Sequence, residues 1–243
     1  VVVIETVRPK SGELRLDYSG DFGIEAPDLT GYNLMNAREK LAFEVLITMY
    51  GPNTVPGMIT AVDSYNKVYD DVCRGVDTYW LSKPLHVGFS HKHSVNLEGG
   101  DERMRYQAGG SFNKVTGVMK GSERNTFNLN TTLSYTYKNL IFRNTIEFTR
   151  NWSVNSPYGS FSEYTSLNPY WAPYDEEGNL VKRFTVHHGF AEGSYYESYV
   201  YNPLYNATLN TKNESAYTEV NDNFSMDWKI NDAFRAVGTF SYR

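Results

Sequence analysis

The sequence predicts an all-β protein, an antiparallel up-and-down meander of the kind that forms the wall of a transmembrane β-barrel. Three observations predict it. Apolar and polar residues alternate with a period of two in several separate stretches. These stretches run about 10 to 15 residues, against about 5 to 6 for a strand in an ordinary globular protein. Short and long connections alternate along the chain, which puts all the tight turns at one end of the sheet and all the large loops at the other. The composition agrees: 15% of the 243 residues are aromatic, including 20 Tyr and 13 Phe, and aromatics favour strands and membrane girdles.

The elements follow in order. Val1 to Val7 is a β-branched strand, and Pro9 and Gly12 end it. From Glu13 to Ile24, Leu14, Leu16, Tyr18, Phe22 and Ile24 take one face, and Glu13, Arg15, Asp17, Ser19 and Asp21 the other. A long loop is expected over about 25–92. Within it, apolar residues at helical spacing (Leu34, Leu41, Val45, Met49) predict a helix near 33–49, with Asn33 as its cap. "SYNKVYDDVCRG" predicts a second short helix, and "VDTYWLSKP" a turn with exposed aromatics.

From Ser94 the alternation returns. The turn Gly99–Glu102 precedes a strand with Met104, Tyr106, Ala108 and Phe112 on one face. "KVTGVMKGS" is a loop. In "NTFNLNTTLSYTY", Phe127, Leu129, Leu133, Tyr135 and Tyr137 alternate with Asn128, Asn130, Thr132, Ser134 and Thr136. A tight turn at Lys138-Asn139 leads to a strand with Phe142, Ile146 and Phe148 on one face. A long irregular loop is expected over about 151–216. The last two strands carry Phe224, Met226, Trp228 and Ile230, then Ala236, Gly238, Phe240 and Tyr242, and a turn at Asn231-Asp232 joins them.

Alternation alone does not say which face is wet. In a soluble sheet the apolar face covers a core, and a second layer must lie over it. In a barrel it meets lipid while the polar face lines a lumen. One predicted helix is too short to cover seven long strands.

Composition excludes other classes. The net charge of −5 argues against a nucleic-acid partner, because phosphate contacts need a basic surface. Cys73 is the single cysteine, so no internal disulfide forms. No apolar run of about 20 residues predicts a membrane-spanning helix. The chain starts and stops within strand-like segments and reads as part of a longer polypeptide.

"HSVNLEGGDERMRYQAGGSFNKVTGVMKGSERNTFNLN" resembles the early barrel of SusC/RagA-type TonB-dependent transporters. "VVVIETVRPKSGELRLDYSGDFGI" resembles their junction of plug and barrel. "NSPYGSFSEYTSLNPYWAPYDEEGNLVK" and "NPLYNATLNTKNESAYTEVNDNFSMDWKIND" resemble the loop and strand that follow. The likeness runs the length of the chain in collinear order. "LEGG" stands where "VSGG" is more common, and "HKHSVNL" where "HNLSV" is.

The resemblance implies a 22-stranded barrel in the outer membrane with a plug inside it. Residues 1–10 would be the last plug strand and 11–243 the first seven barrel strands. It also implies energy from TonB, a SusD-like surface lipoprotein as partner, oligosaccharides or peptides as ligands, and no cofactor. The alternatives are a soluble β-rich carbohydrate-binding module and, lower, a β-sandwich glycoside hydrolase.

Candidate site residues are few. His91 and His93, the adjacent His187 and His188, and the isolated His86 have no matching Cys or carboxylate pattern for a metal; they read as loop or strand-end residues. Asp175, Glu176 and Glu177 lack the spacing of an EF-hand calcium loop, and Glu163 and Asp175 are the pair a glycosidase reading would invoke. No catalytic constellation emerges. In "NPYWAPY", Tyr170, Trp171 and Tyr174 sit in a proline-stiffened loop, and with Tyr79 and Trp80 they form the candidate ligand-binding set. Rigid aromatics offer large contact area at low entropic cost. Loop self-packing and contact with a lid are the competing readings. Trp152 and Trp228, at strand ends, fit an interfacial girdle.

Overall fold

The computed structural model describes residues 12–50, 58–191 and 194–243; the strand expected at 1–10 lies outside them. The described strands are β1 (Gly12–Glu25), β2 (Gly88–Gly100), β3 (Met104–Thr116), β4 (Glu123–Tyr137), β5 (Leu140–Val154), β6 (Arg183–Ala191), β7 (Ser194–Tyr201), β8 (Glu214–Lys229) and β9 (Arg235–Tyr242). The helices are α1 (Ala37–Leu46), α2 (Met58–Cys73), α3 (Phe161–Thr165) and α4 (Pro203–Asn206). Seven strands form one sheet in the order β1-β2-β3-β4-β5-β8-β9, every neighbour antiparallel. This is the predicted meander.

Register makes the two faces consistent across the sheet. One row of paired residues reads Tyr18, Val95, Gly110, Leu129, Phe148 and Val220. On the opposite face a row reads Arg15, Glu98, Gln107, Thr132, Thr145, Asn223 and Ser241. A slip of one residue between any two strands would mix these rows. On the polar face, side chains bond across strands. Gln107 donates to Asn96 at 3.1 Å, Asn128 to Ser111 at 3.3 Å, Thr149 to Asn128 at 3.0 Å and Asn151 to Thr126 at 2.8 Å.

The tight turns fall at 101–103, 138–139 and 230–234, and the larger loops at 26–87, 117–122 and 155–213. Each end is specified locally. Lys138 takes the left-handed φ of 53° that a two-residue hairpin turn needs at its first position. Asp101 accepts the amides of Arg103 and Met104, both at 2.7 Å. Just before it, Gly100 has φ 123°, and a Cβ there would run into the Met104 carbonyl oxygen. Gly100→Ala is therefore expected to cost about 1–3 kcal/mol, read as a lower urea midpoint of unfolding.

Among the described residues nothing packs over the apolar face of the sheet. Ile24 is 77% exposed and Leu129 44%, and Leu16, Phe22, Leu133, Val220 and Phe240 are exposed with them. The helices lie instead against one another, against the short 3-10 turn at Trp80–Ser82 and against β6. The buried cluster, Trp80, Leu81, Tyr164, Leu167, Phe184 and Leu204, is built from the two long loops. The 117–122 loop joins them: Lys120 bonds the Pro84 and Lys83 carbonyls, and its own carbonyl accepts from Ser156.

Four expectations are corrected. The cap of α1 is Asn36, not Asn33: its side chain accepts the Glu39 amide at 2.9 Å while Glu39 accepts the Asn36 amide at 3.0 Å, a reciprocal capping box. β2 starts at Gly88 rather than near Ser94, so His91 and His93 lie within a strand, on its outer face beside Phe112. The loop between β5 and β8 is not irregular throughout, since it contains α3, α4 and the β6–β7 hairpin. Trp80 is not an exposed turn aromatic; it is 2% exposed, in the middle of the loop cluster.

Candidate functional site

The two long loops enclose a cleft of about 920 Å³ at their end of the sheet. α2 supplies Asp63, Lys67, Val68 and Asp71, one helical stripe at a spacing of four with Val68 beside it. The chain after it adds Arg74 and Val76. The second loop supplies Tyr170, Trp171, Tyr174 and the acidic run Asp175 to Glu177, and β6 supplies Arg183 to Val186. Arg74 ties the walls together, paired with Asp71 on its own loop and with Glu176 of the other at 3.2 Å.

A buried carboxylate anchors the same junction. Glu44 of α1 is 2% exposed. Its Oε2 accepts from the Tyr50 hydroxyl at 2.9 Å and its Oε1 from the Tyr170 hydroxyl at 3.0 Å. Lys40, one turn back, lies 3.5 Å away. A charge removed from water needs such partners. Burial pushes both phenols well above the usual tyrosine range, and the negative charge of Glu44 pushes them further. Both therefore stay protonated and keep donating.

A phenol whose pKa is raised by folding contributes stability below its unfolded value, and that stability is lost as pH rises above it. The loop cluster is expected to loosen above about pH 10, and Tyr170→Phe to remove part of that dependence. Tyrosinate absorbance followed against near-UV circular dichroism reads both effects.

The structure brings three of the five predicted aromatics to the cleft. Tyr170 is buried, and its hydroxyl is committed to Glu44. Trp171 stacks on Phe184 with ring centres 5.0 Å apart and planes 7° apart, so one of its faces is covered. Tyr174 stands at the rim, 51% exposed. Tyr79 and Trp80 do not line the cleft. Tyr79 is exposed, its hydroxyl 3.5 Å from the Leu29 carbonyl. Trp80 donates its indole N–H to the Asn168 carbonyl at 2.9 Å and packs edge-on against Phe184, behind the wall.

Sequence reasoning passed over Asp63, Lys67, Asp71, Arg74 and Arg183. The four-residue spacing of Lys67 and Asp71 within the predicted helix, with Asp63 just before it, was the available signal.

The carboxylates that suggested chemistry serve local structure. Glu163 accepts the Ser160 amide at 3.1 Å in the capping box of α3. Asp175 holds a tight turn through the Asn179 amide at 2.7 Å and side chain at 3.3 Å. Among the described residues no group of three or more His, Cys, Asp and Glu is arranged to hold a metal ion. His187 and His188 have side chains outside the description. The arrangement suits binding: an acidic, aromatic-edged groove between two braced loops.

A long-looped antiparallel meander whose apolar face is uncovered among the described residues defines a fold class, a segment of an antiparallel β-barrel wall. Comparison with solved structures finds the same fold. The chain superposes on a structure of the RagAB peptide transporter with a TM-score of 0.66 at 15% identity. It superposes on the RagAB peptide importer in the closed-closed and open-open states with TM-scores of 0.63 at 14% and 16% identity. In each case 92% of this chain is matched, but it spans only 27% of the other. The chain thus shares its fold with about a quarter of those transporter chains. No family model matches the sequence, and no curated protein does.

Proposed function

We infer that the chain is part of the wall and outward loops of an outer-membrane importer of oligosaccharides or peptides. The observation that carries this reading is the uncovered apolar face of a seven-stranded sheet whose other face is a continuous polar ladder. A soluble binding module would need a layer over that face.

The depth of the face supports the reading. Trp152 pairs with Ala216 at the loop end of β8, and Trp228 closes the turn end of the same strand. They stand 12 residues apart along β8. At about 3.3 Å per residue and a tilt of about 45°, the two levels lie ~28 Å apart, near the thickness of a bilayer's hydrocarbon core. The two tryptophans then mark the two interfaces.

In this reading residues 1–10 are the last strand of a plug and 11–243 a barrel segment. TonB supplies energy, and a SusD-like lipoprotein covers the loops. The sequence resemblance supports these roles, and the shared fold supports the barrel segment. Tyr174 and the open side of Trp171 contact ligand, while Tyr170 and Trp80 hold the loops from behind and Tyr79 lies outside the cleft. The work is binding and passage, with no bond made or broken.

Fractionation tests this. The intact gene product is expected in detergent-insoluble outer membranes, with gel mobility that changes on boiling. Recovery as a water-soluble monomer would contradict it.

A further inference from the structure

The β6–β7 hairpin stands apart from the main sheet. β7 pairs with one edge of β6; the other edge meets the cleft. Two observations place it there. Arg183, Phe184, Thr185 and Val186 all line the cleft. Successive side chains of a strand point to opposite faces, so a cavity that touches four in a row meets the strand along its edge. The phase of the pairing gives the second. The Asn202 amide donates to the Lys182 carbonyl at 3.1 Å. Lys182 and, by alternation, Phe184 therefore turn their main chains to β7, and Arg183 and Thr185 turn theirs away from it.

We propose that the cleft takes an extended peptide, which adds to β6 as a third strand and bonds the outward main chains of Arg183 and Thr185. An exposed strand edge is a template for this kind of pairing, and a sugar has no main chain to continue it. The aromatic side chains agree. One face of Trp171 is taken by Phe184, which leaves Tyr174 as the most exposed ring at the cleft's edge. Among the described residues the lining holds five carboxylates against three cations, and Arg74 is already held between two acids. The peptide is therefore one with a free amine or basic side chains. The proposal rests on the cleft being the importer's ligand site and narrows its ligand.

The probe is a fluorescent hexapeptide, Lys-Val-Thr-Val-Thr-Val, titrated by anisotropy into the intact gene product in detergent. Saturable binding is expected. Methylating alternate peptide nitrogens in one phase is expected to weaken it roughly tenfold per bond lost, and in the other phase to leave it unchanged. Thr185→Pro removes an outward N–H without touching a bond to β7 and is expected to weaken binding to a similar extent. Thr185→Val should bind normally.

Equal binding of plain and both methylated peptides would overturn the proposal, as would displacement by maltohexaose or no saturable binding at all. The methylated peptides need no variant, so a folding defect in Thr185→Pro does not compromise the result. The importer reading is scored separately, by where the protein fractionates.

Discussion

Leu129→Arg is expected to destabilise the protein in lipid by about 2–4 kcal/mol, the cost of a basic side chain on the lipid face of a barrel near mid-depth. Leu129 lies on β4 between the levels of Trp152 and Trp228, in the apolar row that includes Val95 and Phe148. Its exposure in the isolated chain makes the experiment decisive. At 44% exposed, a leucine facing water would accept arginine within about 0.5 kcal/mol. Asn130→Arg, one residue on and facing the polar side, is expected to change little. Urea unfolding in lipid vesicles, followed by tryptophan fluorescence, compares the two. Equal and small effects would mean that the apolar face is not in lipid.

Trp80→Ala is expected to cost about 3–5 kcal/mol, the range for removing a large aromatic from a packed site. The loss should be local. Trp80 fills the cluster with Leu81, Tyr164 and Phe184, and its removal leaves the Asn168 carbonyl without its indole donor. Among the described residues the cluster is built from the two long loops and β6, not from the main sheet. Limited proteolysis is therefore expected to cut rapidly within 26–87 and 155–213, while the strands stay intact. Loops as resistant as in the unchanged protein would show that the cluster does not hold them.

What could be read from the sequence follows from the range of the interactions involved. β1 was expected over 13–24 and spans Gly12–Glu25, and the turn at Lys138-Asn139 falls where expected. Both are specified by neighbours in sequence, through a period of two and a tight turn. β2 was read six residues short because His91, Lys92 and His93 count as polar. In the sheet the two imidazoles lie on the apolar face among Phe22, Phe89 and Phe112. The β6–β7 hairpin was missed for a related reason: its register shifts between Thr185 and His187, which breaks the alternation.

The site was less legible. Its aromatics were found as residues, but their roles depend on distant partners. Tyr170 is bonded to a glutamate 126 positions away and Trp80 to a carbonyl 88 positions away. No local pattern separates a ring that meets ligand from one that braces a wall. Asp, Gly and Asn in a short span mark a turn, and the structure forms one at Asp175.

The central claim is that the two faces of one sheet meet different solvents. Site-directed spin labelling tests it most directly. With the exposed Cys73 changed to serine, labels at Leu129→Cys and Asn130→Cys are compared in lipid vesicles. The label at 129 is expected to relax with lipid-soluble oxygen and the label at 130 with an aqueous nickel chelate. Two labels that both prefer the aqueous reagent would contradict the account.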